Sequence, residues 1–239
     1  TARLLRHWRT HPFANQKPFF CQIEAVETVI WLTEVAPKSS QQGRRFWAHL
    51  EAANAASNPE LLRMALKLAT GAGKTTVMAM LIAWHTINAV RHPNAKRFSR
   101  GFLVVTPGIT IKDRLRVLQP NDPDSYYKTR ELVPEDMLDD LGRAKIVITN
   151  YHAFKKKDEV SLNKVQQAAL KTEPKEESDG SMIRRVAGPL MGLKNIVVLN
   201  DEAHHCYRER PLTEEERKAL KGDELSEAKE NNEAARLWI

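Results

Sequence analysis

The hydrophobic positions in the first part of the chain recur at helical spacing, separated by short polar breaks. The stretch FFCQIEAVETVIWLTEVA (19–36) places apolar residues at this spacing and predicts a helix. PKSSQQGRR interrupts it with Pro, Ser and Gly, and FWAHLEAANAA is predicted to resume as a helix. KTTVMAMLIAWHTINAV, which starts at Lys74, predicts a further helix that ends near His92.

Short continuous apolar runs alternate with these helices and predict buried strands. LLRMALKLA (61–69) is predicted as a strand that runs into a glycine-rich turn. GFLVVTP (101–107), KIVIT (145–149) and NIVVL (195–199) are predicted as further strands, with ITIKDRLRVL (109–118) as a helix after the first of them. Strands that alternate with helices predict an α/β fold with a mostly parallel, doubly wound sheet and helices on both faces.

The remaining segments are polar and suggest how the chain is organised. Residues 155–181 are charge-mixed and predict an exposed insertion, partly helical or mobile, and the tail from Thr213 is acidic and helix-rich. We expect a helical N-terminal segment over residues 1–60 and a larger α/β domain over residues 61–239.

Composition and charge narrow the class of protein. The longest apolar run, VMAMLIAW (77–84), is too short to cross a bilayer, so no membrane association is expected. Two cysteines form no disulfide or zinc pattern and favour a reducing, cytoplasmic compartment. Residues 1–116 hold 17 Lys and Arg against 6 Asp and Glu, a net charge of +11, which fits a polyanionic partner such as nucleic acid or a solvated basic surface.

The stretch LATGAGKTT (68–76) is typical of a phosphate-binding loop, although Leu68 stands where the usual pattern G-x-x-x-x-G-K-[ST] has its first glycine. Small residues let backbone N–H groups surround phosphates, a lysine reaches the β- and γ-phosphates, and a hydroxyl coordinates Mg²⁺. A glycine-rich helix N-cap is the alternative. We predict an ATP site whose residues are Thr70, Gly71, Ala72, Gly73, Lys74, Thr75 and Thr76.

The stretch NIVVLNDEAHHC (195–206) supplies the acidic partner that such a loop needs. Asp201 follows an apolar strand and is predicted to hold Mg²⁺ together with Thr75. Glu202 is predicted to orient and deprotonate the attacking water. Acidic pairs at strand ends are often ordinary helix caps, so the prediction depends on the presence of the upstream GAGKT.

These two motifs together resemble superfamily 2 DEAD/DEAH-box helicases and translocases, in which the first motif often lacks the first glycine. LVVTPGITIKDRL (103–115) is similar to motif Ia of that family, and IVITNYHAF (146–154) is similar to its later strand-end motif. The combination of TPGxTIxDRL, TNYHAF and LNDEAHHCYRE resembles the Res (motor) subunits of type III restriction enzymes. The resemblance implies a RecA-like first lobe with ATP and Mg²⁺ as cofactors.

The resemblance also assigns residues that the motifs alone do not. It implies that Gln22 reads the adenine edge, for which a surface helix glutamine is the alternative, and that His204 couples nucleotide state to neighbouring motifs. The Thr-Pro-Gly turn after a strand presents N–H and hydroxyl donors without a bulky side chain, which suits contacts with phosphates. A simple strand-to-helix turn accounts for the same residues equally well. The implied nucleic-acid contacts are Thr106, Pro107, Gly108, Thr149 and Asn150.

As a function, the resemblance implies the ATP-binding lobe of a DNA translocase or helicase from a restriction or phage-defence enzyme. Double-stranded DNA and methylation, specificity or other defence subunits are the expected partners. The second RecA-like lobe, with its arginine finger and S-A-T motif, is not found in these 239 residues, so this piece alone is expected to bind ATP and hydrolyse it poorly. An RNA helicase and a nucleotide-gated scaffold without motor activity are the alternatives.

Overall fold

The computed structural model describes residues 1–57, 62–107, 113–159 and 175–201. The chain divides into two compact units. The first unit comprises Thr1–Arg100 and Val117–Ala144, and the second comprises Gly101–Arg116 and Lys145–Ile239. The phosphate-loop motif lies in the first unit and the apolar strands after residue 100 lie in the second.

The described part of the first unit is built from helices: α1 (Ala2–Thr10), α2 (Phe20–Ile30), α3 (Gln41–Ser57), α4 (Lys74–Arg91), α5 (Tyr126–Thr129) and α6 (Leu138–Leu141). The predicted helix over 19–36 is confirmed as α2, which continues through a π-helical turn (Trp31–Val35) into a 3-10 turn (Ala36–Lys38). The polar break after it is shorter than predicted, because α3 begins at Gln41. The sequence did not point to α1 as a separate helix.

Helix α4 forms the core of this unit. Every residue from Thr76 to Asn88 except His85 is buried, as expected for a helix that is apolar on all sides. It packs against α2, and the indole N–H of Trp84 donates a 2.8 Å hydrogen bond to Glu34 in the π-helical turn that follows α2. Burial lowers the pKa of His85 to about 4, so this ring is neutral at pH 7.

The strand predicted over LLRMALKLA is wrong for the residues that the structure describes. Residues 62–69 form neither helix nor strand. Met64, Leu66 and Leu68 are half-buried while the residues between them are exposed, so the segment runs extended with only one covered face. No described strand pairs with it, and an extended segment without ladder hydrogen bonds is not a strand. The described context of the GAGKT motif is therefore a turn followed by a helix.

The second unit contains a parallel sheet of three described strands in the order β2–β1–β5: β1 (Gly101–Thr106), β2 (Lys145–Asn150) and β5 (Val197–Asn200). All residues of the central strand β1 are buried, as expected for a parallel strand covered on both faces. The strands predicted at 101–107, 145–149 and 195–199 are confirmed, as is the α/β class with a parallel sheet.

The described ends of the predicted insertion form secondary structure. Strands β3 (Asp158–Glu159) and β4 (Lys175–Glu176) pair antiparallel, and α7 (Asp179–Ala187) follows, leading into the 3-10 turn Gly188–Leu190. Residues 160–174 lie outside the described part, as do residues 109–112 of the predicted helix after β1 and the acidic tail. At the described ends of this segment, residues 155–157 and 178–181 are exposed and Glu177 is buried, so an exposed insertion over 155–181 as a whole stays a prediction.

A buried acidic residue joins α7 to the turn after β2. Glu177 is buried, and its carboxylate accepts hydrogen bonds from Arg185 at 2.9 and 2.7 Å and from the Lys157 N–H at 3.1 Å. Arg185 also donates to the carbonyls of Ala153 and Lys155. The hydrogen bonds from Arg185, followed by that from Lys157, lower the pKa of Glu177 to about 2.

Candidate functional site

The GAGKT loop adopts a conformation that requires its glycines. Gly71 and Gly73 have φ angles of +80° and +74°, in the left-handed region that residues with a Cβ rarely adopt. Gly73 is also the N-cap of α4, and its carbonyl accepts a 2.9 Å hydrogen bond from the Thr76 N–H. Thr70 and Gly71 are exposed at the tip, and the space where a Gly71 Cβ would point is open.

The start of α4 has features that suit an anion. Lys74 and Thr75 are the first two residues of the helix and both are half-buried. The N–H groups of a first helical turn have no partner within the helix, and the helix dipole makes this end positive. No acidic residue lies in the first turn of α4 to neutralise it. This geometry suits a phosphate, because backbone donors, a dipole and an ammonium group meet at one loop.

Gln22 packs directly against the loop. The side chain is 2% exposed, its Nε2 donates to the carbonyl of Ala72 at 2.8 Å, and its Oε1 accepts from the Phe19 N–H at 2.9 Å. A Cβ added at Gly73 would overlap Gln22 Nε2. The alternative of a surface helix glutamine is therefore wrong. Contact with an adenine remains a prediction.

An arginine that no sequence motif singled out lies at the first turn of α4. Arg130 Nη1 donates a 2.9 Å hydrogen bond to the buried Oγ1 of Thr76, from 54 residues away in the chain. The Arg130 guanidinium also stacks over the Tyr126 ring, 3.7 Å from its centroid. The four-residue spacing from Tyr126 to Arg130 is compatible with such a pair, but no local pattern connects either residue to the loop.

In the second unit, the motif residues meet at the carboxyl ends of adjacent strands. Thr106 pairs with Asn150 in the register of β1 and β2, and the Asp201 N–H donates to the carbonyl of Val105 at 2.9 Å. Thr149 precedes Asn150 in β2. The topology therefore brings together the three motifs that the sequence identified. They lie at the edge where parallel sheets bind ligands.

The side chains at this edge make hydrogen bonds that shape their own turns. Thr106 is 1% exposed and its Oγ1 lies 3.4 Å from the Thr149 carbonyl, while Asn150 Oδ1 accepts from the Ala153 N–H at 3.0 Å. Pro107 is half-buried. Gly108, Glu202 and His204 lie outside the described residues. Contact of this edge with nucleic acid stays a prediction.

No group of three or more His, Cys, Asp or Glu side chains within the described ranges could hold a metal ion. Among the helices in the described part of the chain, none is long and apolar enough to span a bilayer.

Comparison with known proteins places the chain in a family. Neither curated proteins nor solved structures gave a match. A family model described as type III restriction enzyme, res subunit, matches residues 15–236, which include the GAGKT loop and the parallel sheet. Because this match covers more than half of its length, the chain belongs to the family of type III restriction enzyme Res subunits.

Proposed function

We propose that the chain is the ATP-binding lobe of a DEAH-type, ATP-dependent DNA translocase or helicase, the motor of a restriction or phage-defence enzyme. Family membership implies an ATP-dependent, helicase-like motor domain with a RecA-like α/β fold, which generally uses ATP and Mg²⁺. The observation that carries the proposal is the GAGKT loop, with both glycines at positive φ and Lys74 as the first residue of α4.

Different residues around the loop would bind different parts of ATP. Backbone N–H groups from Gly71 to Lys74 would surround the phosphates, with Thr70 and Thr76 at the two ends of the loop. The Lys74 ammonium would neutralise the β- and γ-phosphates. Gln22, which already fixes the loop through the Ala72 carbonyl, would use its remaining hydrogen-bonding capacity on the adenine.

The residues proposed for hydrolysis come from both motifs. Thr75 and Asp201 would hold Mg²⁺, a hydroxyl and a carboxylate being ligands that suit this hard cation. When bound, Mg²⁺ neutralises charge on the β- and γ-phosphates. Glu202 would orient the attacking water and accept its proton. His204 would couple the state of the nucleotide to neighbouring motifs.

The DNA contacts are assigned to the carboxyl edge of the sheet. Thr106, Pro107, Gly108, Thr149 and Asn150 would touch the phosphate backbone of double-stranded DNA, mostly through main-chain groups because Thr106 and Asn150 use their side chains internally. Res subunits typically act with methylating Mod subunits on DNA, and we propose such a partner in the cytoplasm.

ATP hydrolysis by the full-length protein tests the proposal. We would measure turnover with double-stranded DNA, single-stranded DNA or RNA, beside the Glu202→Gln variant. Double-stranded DNA is expected to stimulate turnover, and the variant is expected to lose about a hundredfold or more, because the general base is removed while the nucleotide can still bind. Stimulation by RNA alone would instead identify an RNA helicase. ATP binding without turnover on any nucleic acid would indicate a nucleotide-gated scaffold.

A further inference from the structure

Arg130 occupies an electrostatically costly position. Cations are disfavoured at a helix N-terminus, yet Arg130 is hydrogen-bonded to the first turn of α4, where Lys74 already adds a positive charge. Within the described residues, Arg130 has no carboxylate partner. Three other arginines of this unit donate side-chain hydrogen bonds, and each of them has a carboxylate partner, in the pairs Arg3–Asp136, Arg9–Glu27 and Arg91–Asp140. An anionic ligand bound at this loop would offset the charge of Arg130.

The guanidinium is held in place rather than free to swing. Its face stacks on Tyr126 and one N–H is used on Thr76, so further N–H donors along its edge remain for a ligand. The next residue, Glu131, has a φ of +51° and is tied to the N-terminal segment. Its carboxylate accepts from His11 at 2.8 Å, and its carbonyl bonds to the His7 ring at 2.7 Å. Arg130 is therefore preorganised beside the loop.

Its position along the loop indicates which phosphate it would meet. Both Gln22 Nε2 and Thr76 Oγ1 lie near the point where a Gly73 Cβ would project, the second at 3.6 Å. Thr76 and Arg130 are therefore on the Gln22 side of the loop, the side proposed for the base. Lys74 is proposed to reach the β- and γ-phosphates. In ATP, the α-phosphate lies between the nucleoside and the β-phosphate, so it is the phosphate on the Arg130 side of the loop.

We propose that Arg130 is a nucleotide-binding residue that contacts the α-phosphate through the guanidinium edge next to Thr76. The proposal rests on the ATP-binding function proposed above and adds to it a cation supplied by segment 117–144 of the same unit. Arg130 would hold the α-phosphate with a charge-assisted, forked contact, which an ammonium cannot reproduce.

A comparison of ligands that differ in phosphate number tests this assignment. We would measure the affinities of the full-length protein for ATP, ADP, AMP and adenosine, the weaker ligands by competition, and repeat them for Arg130→Gln. We expect the variant to weaken binding of ATP, ADP and AMP by a similar factor of about tenfold or more and to leave adenosine unchanged. Arg130→Lys should give an intermediate loss, because it keeps the charge and loses the fork.

Arg143→Gln is the matched control, since Arg143 is an exposed arginine of the same unit and its loss should change no affinity. Equal affinities of Arg130→Gln and the unmodified protein for AMP would overturn the assignment, as would a loss that includes adenosine in a variant whose unfolding midpoint is unchanged. Should Arg130→Gln fail to fold, an Arg130→Lys variant that binds AMP as well as the unmodified protein would also overturn it. Absence of ATP binding in the unmodified protein would instead refute the ATP site as a whole.

Discussion

At the scale of single residues, the phosphate loop contains two glycines with the same backbone requirement and different surroundings. Gly71 and Gly73 have φ angles of +80° and +74°, but only Gly73 has a side chain packed where a Cβ would project. That side chain is Gln22, which is buried and bonded to the Ala72 carbonyl. The two positions therefore separate the cost of the backbone conformation from the cost of crowding.

We predict that Gly73→Ala destabilises the protein more than Gly71→Ala. Gly71→Ala is expected to lower the free energy of unfolding by about 1–2 kcal/mol, the cost of a left-handed residue with a Cβ. Gly73→Ala is expected to lower it by about 2–5 kcal/mol, because the added Cβ also displaces Gln22. Urea denaturation of both variants measures the difference.

A second substitution checks the reason for that difference. In a Gln22→Ala background, Gly73→Ala should cost about as much as Gly71→Ala, since the overlapping amide is gone. Equal costs of the two glycine variants in the unmodified background would contradict the prediction.

At the scale of elements, α7 is fastened to the turn after β2 by the pair Glu177–Arg185. Arg185 makes a bidentate contact with the Glu177 carboxylate and also donates to the carbonyls of Ala153 and Lys155, in the turn that follows Asn150. The shape of the proposed DNA-contacting edge thus depends on Arg185 of α7 and on Glu177, which precedes that helix.

We predict a stability that depends on pH because of this pair. The pKa of Glu177 is lowered from 4.5 to about 2, so its contribution is fully present above about pH 4.5 and is lost as the pH falls toward 2. The difference in unfolding free energy between the unmodified protein and Arg185→Gln should be constant from about pH 7 to pH 5 and should shrink below about pH 4.5. Chemical denaturation at a series of pH values measures it.

Arg184→Gln, at an exposed neighbouring arginine of α7, should show no such trend. Protonation of His85 also weakens the fold in acid, but it affects every variant alike and cancels in the difference. A difference that stays constant down to pH 3 would mean that the carbonyl hydrogen bonds of Arg185, and not the carboxylate, account for its effect.

At the scale of the whole molecule, charge is divided unevenly along the chain. Residues 1–116 carry 17 basic and 6 acidic side chains, whereas residues 201–239 carry 7 and 11. A nucleic acid would be attracted mainly to the first part, and the attraction would be screened by salt.

We predict that the affinity of the full-length protein for double-stranded DNA falls steeply with salt. Neutralising about three phosphates gives a log–log slope of about −2.7, which is a loss of about 40-fold between 50 and 200 mM salt. Fluorescence anisotropy with a labelled duplex measures this slope. An affinity that does not change over that range would rule out the basic half as the DNA-binding surface.

The sequence alone was sufficient for elements whose signals are local. The helical spacing in FFCQIEAVETVI and KTTVMAMLIAW and the apolar runs of β1, β2 and β5 predicted those elements, because periodicity reflects which side of one element is covered. The requirement for glycine at Gly71 and Gly73 could also be recognised, since the motif itself encodes a backbone conformation. The strand predicted over 61–69 failed because pairing needs a partner that no local pattern specifies.

Tertiary structure alone decided which distant residues surround the loop. Gln22 reaches Ala72 from 50 residues away, and Arg130 reaches Thr76 from 54 residues away. The sequence had offered a surface position as an alternative for Gln22 and gave no reason to single out Arg130. Such contacts depend on how α2 and the segment before Glu131 pack against α4, and packing between distant segments leaves no periodic trace in either one.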